Sequence, residues 1–377
     1  MSSRIPGRRL TAFEQDDPSG RANRLATLSA LLLLPLALRS ERHFCRLPQL
    51  ASTYSGAPLP SLSIIIPARN EAANLPGLLD SLGGLRYPGP LEIIVVDDGS
   101  HDGTGDIARR YPVRVLRTEG PPRGWTGKTH ACHQGMQTAS GAWLLFVDAD
   151  TRYERDGPAR AVAHALMHNL HGLSLFLPNV TSGFADRLAL MTAFASFFAA
   201  TGPNSSVLNG QFILLRRDVY DASGGFAAVR RQITEDLALG RRLHDLGYDT
   251  PIMRGDGVGV VRMYRDPRHL WQGLSRYSVA SLRWTNLGGV WAVLLTNLIA
   301  APLNFLLWAI LTGRGLRGAV LSWVTTALTM LGWAARFGGR PWALLAPLGA
   351  LEVQLAAVYG IIRRLSGRGV PWKGRRL

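Results

Sequence analysis

Short apolar runs alternate with helix-like segments from Leu62 onward. Four such runs are LSIIIP at 62–67, LEIIVVDD at 91–98, VRVLRT at 113–118 and WLLFVDAD at 143–150, of which the second and fourth end in acidic residues. Such runs are typical of strands buried on both faces of a parallel sheet, although short buried helices have the same periodicity. Leucines at helical spacing follow the first run, from Leu75 to Leu82. This alternation predicts an α/β fold with a mostly parallel, Rossmann-like sheet flanked by helices.

Two carboxylates, Asp148 and Asp150, directly follow the fourth run. Ligands of open α/β sheets bind beyond the carboxyl ends of strands, and alternate strand residues share a face, so both carboxylates are expected to face one crevice. Neighbouring like charges are costly without a cation, and Mg²⁺ and Mn²⁺ take oxygen ligands together with substrate phosphates. A metal site is one interpretation, and a turn with two solvated acids is the other.

A second acidic pair, Asp97 and Asp98, ends the second run. No glycine-rich phosphate loop of the GxGxxG or GxxxxGKS/T type follows the first run. Because acids repel bare phosphate, the site is expected to bind a base and ribose through hydrogen bonds, a diphosphate through a metal, or both in a nucleotide diphosphate.

A third acidic pair, Glu235 and Asp236, lies in the first turn of a predicted helix that Thr234 can cap. Acids at this position commonly only stabilise the helix dipole. Successive helical residues point in different directions, so only one of the two can face a ligand.

The last third of the chain predicts three membrane segments, at 287–311, 319–335 and 342–362. A weaker apolar stretch at 25–38 is too short for an untilted span and is interpreted as an anchoring or interfacial segment. If all three C-terminal segments cross and the catalytic domain is cytoplasmic, the basic tail lies outside, against the positive-inside tendency. Either one of the three segments is re-entrant, or the tail is an exception to the positive-inside tendency.

The net charge of +16 indicates an anionic partner, and the apolar segments favour an anionic membrane surface over nucleic acid. Two cysteines exclude a disulfide framework. Of 42 basic residues only Lys128 and Lys373 are lysines, so the lysine in the middle of the chain is a candidate for a specific role. A surface lysine in a glycine-rich loop is the alternative interpretation of Lys128.

The predicted organisation has five parts. These are a basic N-terminal region at 1–61, a catalytic domain at 62–265, an amphipathic interface segment at 266–286, transmembrane helices at 287–363 and a basic tail at 364–377.

The motifs PARNE at 67–71, VDDGS at 96–100, DAD at 148–150 and TED at 234–236, followed by membrane segments, resemble a membrane-bound family 2 glycosyltransferase of the GT-A fold. The resemblance covers roughly residues 62–284. The segments PPRGWTGKTHACHQG and NGQFILLRRDVYDASGGFAAVRRQITEDLALG are most similar to bacterial carotenoid-acid glycosyltransferases and next to hopanoid-associated enzymes. This implies transfer of a sugar from a UDP-sugar, with glucose favoured, to a carotenoid or other isoprenoid lipid, by a multi-pass protein of the cytoplasmic membrane.

The resemblance also implies roles for individual residues. The nucleotide-sugar set is Pro67, Arg69, Glu71, Asp98, Lys128, Asp148 and Arg283, with Asp98 accepting the uracil N3–H. Asp150, assisted by Asp148, would hold Mn²⁺ or Mg²⁺. Asp236 is the candidate general base of an inverting transfer, and Glu235 is the alternative.

The family's QxxRW motif is incomplete here, because ASLRW at 280–284 lacks the glutamine, which disfavours processive polymer synthesis. Two other functions remain open. One is a membrane-tethered nucleotide or polyanion binding protein without catalysis, and the other is a transferase acting on glycerolipid or polyprenyl phosphate.

Overall fold

A seven-stranded sheet forms the centre of the computed structural model, which describes residues 18–51, 54, 56–201, 207–281 and 287–376. The strands of this sheet are β1 (Leu62–Ala68), β2 (Leu91–Asp97), β3 (Arg114–Arg117), β4 (Trp143–Val147), β6 (Gly172–Phe176), β7 (Phe212–Arg216) and β8 (Ile252–Arg254). Their order is β3-β2-β1-β4-β7-β6-β8. All pairs are parallel except those of β7, which runs antiparallel to β4 and β6. The predicted α/β fold with a mostly parallel sheet is confirmed.

Helices cover the sheet and extend beyond it. They are α1 (Pro18–Arg46), α2 (Leu75–Gly83), α3 (Thr104–Ala108), α4 (Gly127–Thr138), α5 (Gly157–Met167), α6 (Phe184–Ala200), α7 (Arg217–Ser223), α8 (Gly225–Ala228), α9 (Glu235–Asp245), α10 (Pro267–Ser281), α11 (Leu287–Thr312), α12 (Leu316–Arg336), a 3₁₀ helix (Arg340–Leu345) and α13 (Ala346–Leu365). Two small antiparallel pairs join β5 (Thr151–Tyr153) to β9 (Gly259–Val261) and β10 (Pro371–Trp372) to β11 (Arg375–Arg376).

The apolar runs form the middle of the sheet because both of its faces are covered. Every residue of β4 is buried, and the leucines of α2 from Leu75 to Leu82 pack onto β1 in one core cluster. The helix begins at Leu75, seven residues after the end of β1. Asn70 has a φ of 51°, a left-handed conformation that a helix does not continue. Residues 69–74 are therefore a loop at the end of β1, where side chains can reach a ligand.

Among the described residues, four helices are long and apolar enough to cross a membrane, at Gly20–Arg46, Gly289–Thr312, Leu316–Arg336 and Arg340–Leu365. The N-terminal stretch is longer than its apolar core at 25–38 indicated, because helix α1 continues through polar residues at both ends. Helix α1 as a whole is therefore long enough to cross a membrane, although the stretch 25–38 alone is too short for an untilted span. Large apolar side chains such as Leu31, Ile310 and Leu328 are exposed on these helices.

Helices α1 and α12 run side by side in the same direction. The Gly318 amide donates to the Asn23 side chain near one end, and the Trp333 indole donates to Ser40 near the other. Helix α11 returns against α12 through a short turn, so α1, α11 and α12 form one bundle. The bundle meets the sheet domain through α6, where Ser196 and Thr296 share a hydrogen bond of 2.7 Å.

Helix α13 contacts the sheet domain at both of its ends. Gly349 lies against the backbone of Leu188 in α6, and Gly360 lies against the backbone of Ser275 in α10. A side chain at either glycine would collide with backbone atoms, so glycine permits this close packing. The chain after α13 then returns to the edge of the sheet, where the β10–β11 hairpin contacts residues near the ends of β1 and β2.

Candidate active site

One cavity of about 1360 Å³ lies beyond the carboxyl ends of β1, β2 and β4. The predicted site residues that line it are Pro67, Arg69, Glu71, Asp98, Lys128, Asp148, Asp150, Glu235 and Asp236. Strand β7 runs antiparallel to β4, so the residues before β7, Gly210 and Gln211, also reach this edge. The structure therefore brings together three acidic segments that are spread over more than 100 residues of the sequence.

The neighbouring acids Asp97 and Asp98 have different roles in the fold. The Asp97 side chain accepts a hydrogen bond from the Ser100 amide at 2.9 Å and shapes the turn after β2. The Asp98 carboxylate lines the cavity and accepts from the Thr118 hydroxyl at 3.1 Å and from the Arg375 guanidinium. Asp97 therefore shapes the turn, whereas the Asp98 carboxylate faces the cavity.

Arg69 and Glu71 are held in the loop after β1. The Arg69 guanidinium donates to the carbonyl oxygens of Asp98 and Gly99, which ties the ends of β1 and β2 together. Glu71 is buried and accepts hydrogen bonds from the side chains of Asn74 and Lys373. Arg69 therefore positions the loop that carries Asp98, and Glu71 adds negative charge to the pocket.

Lys128 connects two of the acidic segments. Its Nζ lies 2.7 Å from Asp148 Oδ1 and 2.9 Å from Glu235 Oε1. Burial opposes the ammonium charge, but the carboxylates of Asp148, Glu235 and Asp236 raise the pKa of Lys128 well above its ordinary value. The lysine is a cation fixed at the centre of the site. The alternative of a surface lysine is wrong.

Asp236 is oriented by two backbone amides. Its Oδ2 accepts from Gly210 at 3.1 Å and its Oδ1 accepts from Leu237 at 2.9 Å. Burial and the neighbouring Glu235 raise the pKa of Asp236 to about 6, although Lys128 and the two hydrogen bonds act in the opposite direction. Thr234 lies at the N-cap of α9 but makes no side-chain capping bond. Asp236 thus combines a fixed orientation with a pKa suited to accepting a proton near neutrality.

Gly210 permits the close packing of these groups. A Cβ atom there would lie 2.6 Å from Lys128 Nζ, which is too close. It would also be in van der Waals contact with the carboxylates of Asp148 and Asp236. The sequence reasoning did not identify this residue as part of the site. Its position before an antiparallel strand depends on the sheet order, which local patterns do not reveal.

Asp150 has the properties of a metal ligand without a bound cation. Its Oδ1 is buried and has no hydrogen-bond partner. Burial, Asp148 and Glu71 together raise the pKa of Asp150 to about 8. A divalent cation would stabilise the ionised carboxylate, and oxygen donors suit Mg²⁺ and Mn²⁺. No group of three or more His, Cys, Asp or Glu side chains that could hold a metal occurs among the described residues. The pair Asp148 and Asp150 therefore fits an ion whose coordination is completed by substrate phosphates.

Arg283, expected near the diphosphate, lies outside the described residues. Arg276 of α10 lines the cavity instead, stacked over the rings of Tyr277 and Trp372. The C-terminal hairpin was not expected in the site at all. It places Trp372, Lys373 and Arg375 on the cavity wall, so both lysines of the chain are paired with acids of the site. The scarcity of lysine singled out Lys128 and is the signal that could also have identified Lys373.

The far half of the same cavity is apolar. It is lined by side chains of α6, α11 and α13, among them Leu190, Phe194, Phe197, Val293, Leu294, Leu351 and Val358. A hydrogen bond of 3.1 Å between Asn297 and Gln354 links two of these helices. The cavity thus joins a charged end at the sheet to an apolar end among the membrane-type helices.

Part of the chain is similar to known proteins. Residues 63–238 match the family model described as Glycosyl transferase family 2. The 4,4'-diaponeurosporenoate glycosyltransferase of Staphylococcus aureus strain MRSA252 is 32% identical over 218 residues, which cover 55% of this chain and 57% of that protein. The protein of the same name from strain USA300 is 32% identical over 216 residues, with the same coverage. The chain therefore aligns with little more than half the length of these relatives.

A solved structure shares the fold. The mannosyltransferase PcManGT from Pyrobaculum calidifontis, in complex with GDP-Man and Mn²⁺, aligns with a TM-score of 0.57 and 19% identity, covering 90% of this chain and 99% of that chain. This similarity confirms the GT-A fold that the sequence motifs predict.

Proposed function

We propose that the chain is a family 2 glycosyltransferase that transfers one sugar from a UDP-sugar to a lipid with inversion at the anomeric carbon, since residues 63–238 match the model of that family. The observation that carries this proposal is the single cavity that joins the acids at the end of the sheet to an apolar groove among α6, α11 and α13. The sugar donor and the lipid acceptor can react only where these two halves of the cavity join.

The donor nucleotide is assigned to the pocket of Asp98 and Glu71. A carboxylate accepts the uracil N3–H and repels the unprotonated ring nitrogen of cytosine, so Asp98 favours a uracil base. Pro67 and the Arg69 loop form the adjacent wall. The motif resemblance favours glucose as the sugar, and assay of several UDP-sugars decides this point.

The diphosphate is assigned to the pocket of Asp148, Asp150 and Lys128. A divalent ion, Mn²⁺ or Mg²⁺, bound by the two aspartates would stabilise the negative charge of the departing UDP. Lys128 supplies a further positive charge from the protein, and Glu235 holds its ammonium group in place. Arg276 lines the same cavity and is a second candidate cation for the phosphates.

The acceptor is activated by Asp236. Its carboxylate accepts the proton of an acceptor hydroxyl while the acceptor oxygen bonds to the anomeric carbon and the bond from that carbon to the UDP oxygen breaks. A single displacement opposite the leaving group inverts the configuration. Glu235 is the less favourable base, since its carboxylate is engaged by Lys128 at 2.9 Å.

The apolar half of the cavity supports a lipid acceptor with a long hydrocarbon chain. Groove side chains such as Phe194, Val293 and Val358 present no charge to the acceptor. The curated relatives carry the name of a carotenoid-acid glycosyltransferase, which favours an isoprenoid acid or alcohol. Glycerolipids and polyprenyl phosphates also carry long apolar chains, so the assay compares them as alternative acceptors.

The membrane is proposed to surround α1, α11 and α12. Of these helices, α11 and α12 follow the sheet domain in the sequence. Two successive crossings return the chain to the side of the membrane on which the sheet lies. Helix α13 contacts α6 and α10 at its two ends, which supports an interfacial position for it rather than a third crossing. The basic tail then lies beside the catalytic domain. A cytoplasmic location of both satisfies the positive-inside tendency.

The function is tested with the full chain in lipid nanodiscs, Mn²⁺ or Mg²⁺, and UDP-glucose, UDP-galactose or UDP-N-acetylglucosamine. Acceptors are an isoprenoid acid, an isoprenoid alcohol, a diacylglycerol and a polyprenyl phosphate. We expect UDP release and a lipid product heavier by one sugar, and only UDP release coupled to product counts as transfer. Absence of product with every pair, together with nucleic-acid binding that weakens steeply with salt, would instead favour the non-catalytic polyanion binder.

A further inference from the structure

The C-terminal hairpin occupies the pocket assigned to the donor nucleotide. Strands β10 and β11 pair antiparallel, with Trp372 opposite Arg375, and the turn between them contains Lys373 and Gly374. The Lys373 ammonium pairs with Glu71, and the Arg375 guanidinium pairs with the Asp98 carboxylate. The Lys373 carbonyl accepts from Arg69 Nε at 3.0 Å and from the Asn70 side chain at 3.1 Å. The hairpin thus contacts the loop after β1 and the end of β2.

The contact with Asp98 blocks the expected position of the base. One oxygen of this carboxylate accepts from the Thr118 hydroxyl inside the fold, and the other accepts from Arg375. A second nitrogen of Arg375 lies 3.2 Å from the Asp98 carbonyl oxygen. A uracil whose N3–H donates to Asp98 and the Arg375 guanidinium compete for the same oxygen.

We propose that the C-terminal hairpin is an internal inhibitor that competes with the donor nucleotide and must leave before the UDP-sugar binds. This inference rests on the proposed function, because it takes Asp98 as the residue that contacts the base. The inhibitory group is part of the chain, so its local concentration does not depend on the amount of protein.

The hairpin is attached in a way that allows release. Its two cations are about a quarter exposed and within reach of water, whereas their partners Glu71 and Asp98 are buried and need a replacement partner when the hairpin leaves. Trp372 adds a stacking contact with His269 at a centroid distance of 5.2 Å and packs beneath the Arg276 guanidinium. Gly367 and Gly369, both with positive φ, precede the hairpin and give the tail conformational freedom. A nucleotide with a divalent ion can therefore displace it.

If the hairpin has a different role, its removal should change donor affinity in the opposite direction. If Lys373 and Arg375 instead belong to the donor site and bind the diphosphate, removal of the hairpin weakens donor binding. If they compete with the donor, removal strengthens it. Donor affinity therefore distinguishes an inhibitory hairpin from a binding element.

The first experiment measures binding of UDP with Mn²⁺ to the full chain in nanodiscs and to variants. These are a chain that ends at Val370, the single variant Arg375→Ala and the control Arg368→Ala. Arg368 is exposed in the same tail and its side chain is outside the pocket, so the control removes equal charge. If the hairpin is docked about nine-tenths of the time, the shortened chain binds UDP about tenfold more tightly, because apparent affinity scales with the competent fraction. We expect a smaller gain for Arg375→Ala and none for Arg368→Ala.

Unchanged or weaker UDP binding in both the shortened chain and Arg375→Ala would overturn the inference. If no form of the protein, shortened or complete, binds UDP, the proposed function fails rather than its regulation. The two failures are therefore distinguishable in one titration series.

A second experiment follows the tail in the unmodified protein. Trypsin cleaves after Lys373 and Arg375 only when the hairpin leaves the pocket, and mass spectrometry of the released peptides reports the rate. UDP with Mn²⁺ is expected to accelerate this cleavage severalfold, whereas cleavage after the exposed Arg368 changes little. Protection of Lys373 and Arg375 by UDP would contradict displacement.

Discussion

Two acidic regions of one cavity each contain one of the two lysines of the chain, and they differ in how that lysine is attached. Lys128 lies in the first turn of α4, inside the sheet domain, between Asp148 and Glu235. Lys373 lies on a terminal hairpin and reaches Glu71 across 302 residues of sequence. Both compensate buried carboxylates. Lys128 is part of the sheet domain, whereas Lys373 belongs to the hairpin that we propose leaves the pocket.

The two regions are therefore assigned to different tasks, the region of Lys128 to the transfer step and the region of Lys373 to binding of the donor nucleotide. The region of Lys128 contains the groups proposed to act on the diphosphate and on the acceptor, so its charges must stay in place during transfer. The region of Lys373 contains the groups proposed to bind the base, so its compensating charge must be removable. A buried carboxylate without a partner is costly, and a detachable cation stabilises the empty pocket until a ligand replaces it.

The largest effect is expected from Asp236→Asn. Loss of a general base typically lowers a rate by about 10²–10⁴-fold, and the amide cannot accept the proton of a hydroxyl acceptor. Transfer to an isoprenoid alcohol should fall about 10³-fold, measured as glycolipid formed per minute, with UDP binding unchanged. Glu235→Gln should act mainly through Lys128 and raise the KM for the donor.

The acceptor itself provides the control for this role. An isoprenoid acid is already ionised at neutral pH and needs no base, so Asp236→Asn should lose much less activity with the acid than with the alcohol. Equal losses with both acceptors would show that Asp236 organises the site in some other way.

Replacement of the two lysines by methionine tests the comparison directly. Lys128→Met leaves Asp148 and Glu235 without their cation and removes a charge proposed to stabilise the leaving diphosphate. We expect a loss of about 10²-fold in kcat/KM for the donor, the scale found when one stabilising donor is removed from an active site. Lys373→Met removes the same charge from the hairpin and should lower the KM for the donor. Changes of the same sign in both variants would contradict the distinction between a fixed and a removable cation.

The family resemblance placed Glu235 and Asp236 in the site, and the sequence patterns themselves predicted four strands of the sheet, β1 to β4, and the carboxylates that follow β2 and β4. These features depend on local patterns and on the rule that ligands bind at the carboxyl ends of parallel strands. Gly210 and the hairpin could not be predicted in this way. Gly210 enters the site only because β7 is antiparallel, and Lys373 enters only because α13 packs back against α6 and α10. Long-range packing determines both positions.

The N-terminal helix was underestimated for a related reason. A count of apolar residues found only the stretch 25–38, but polar residues such as Ser40 and Glu41 are accommodated in α1 by partners on α12. The Glu41 carboxylate accepts from both terminal nitrogens of Arg336 at 2.6 and 2.8 Å. Such pairs become visible only when the helices are in contact.

The pH dependence of transfer tests whether Asp236, in the acidic region around Lys128, is the general base. Asp236 must be ionised to accept a proton, and burial beside Glu235 raises its pKa to about 6. With an alcohol acceptor, kcat/KM should therefore rise about tenfold per pH unit below pH 6 and level off above it. Rates measured from pH 4.5 to 8 with wild-type protein check this. A flat profile through pH 6 would argue against Asp236 as the base.

The smallest effect is expected in the apolar groove, which tests whether the two halves of the cavity serve different substrates. Val293 of α11 lines the groove, so Val293→Trp should narrow it and raise the KM for a long isoprenoid acceptor severalfold. A short water-soluble alcohol would not reach this part of the groove, and its KM should not change. Val320 of α12 is exposed and does not line the cavity, so Val320→Trp is the matched control. Because the donor pocket is at the opposite end, the KM for the UDP-sugar should stay constant in both variants. A parallel rise in donor KM would mean that the groove supports the fold of the active site rather than the acceptor chain.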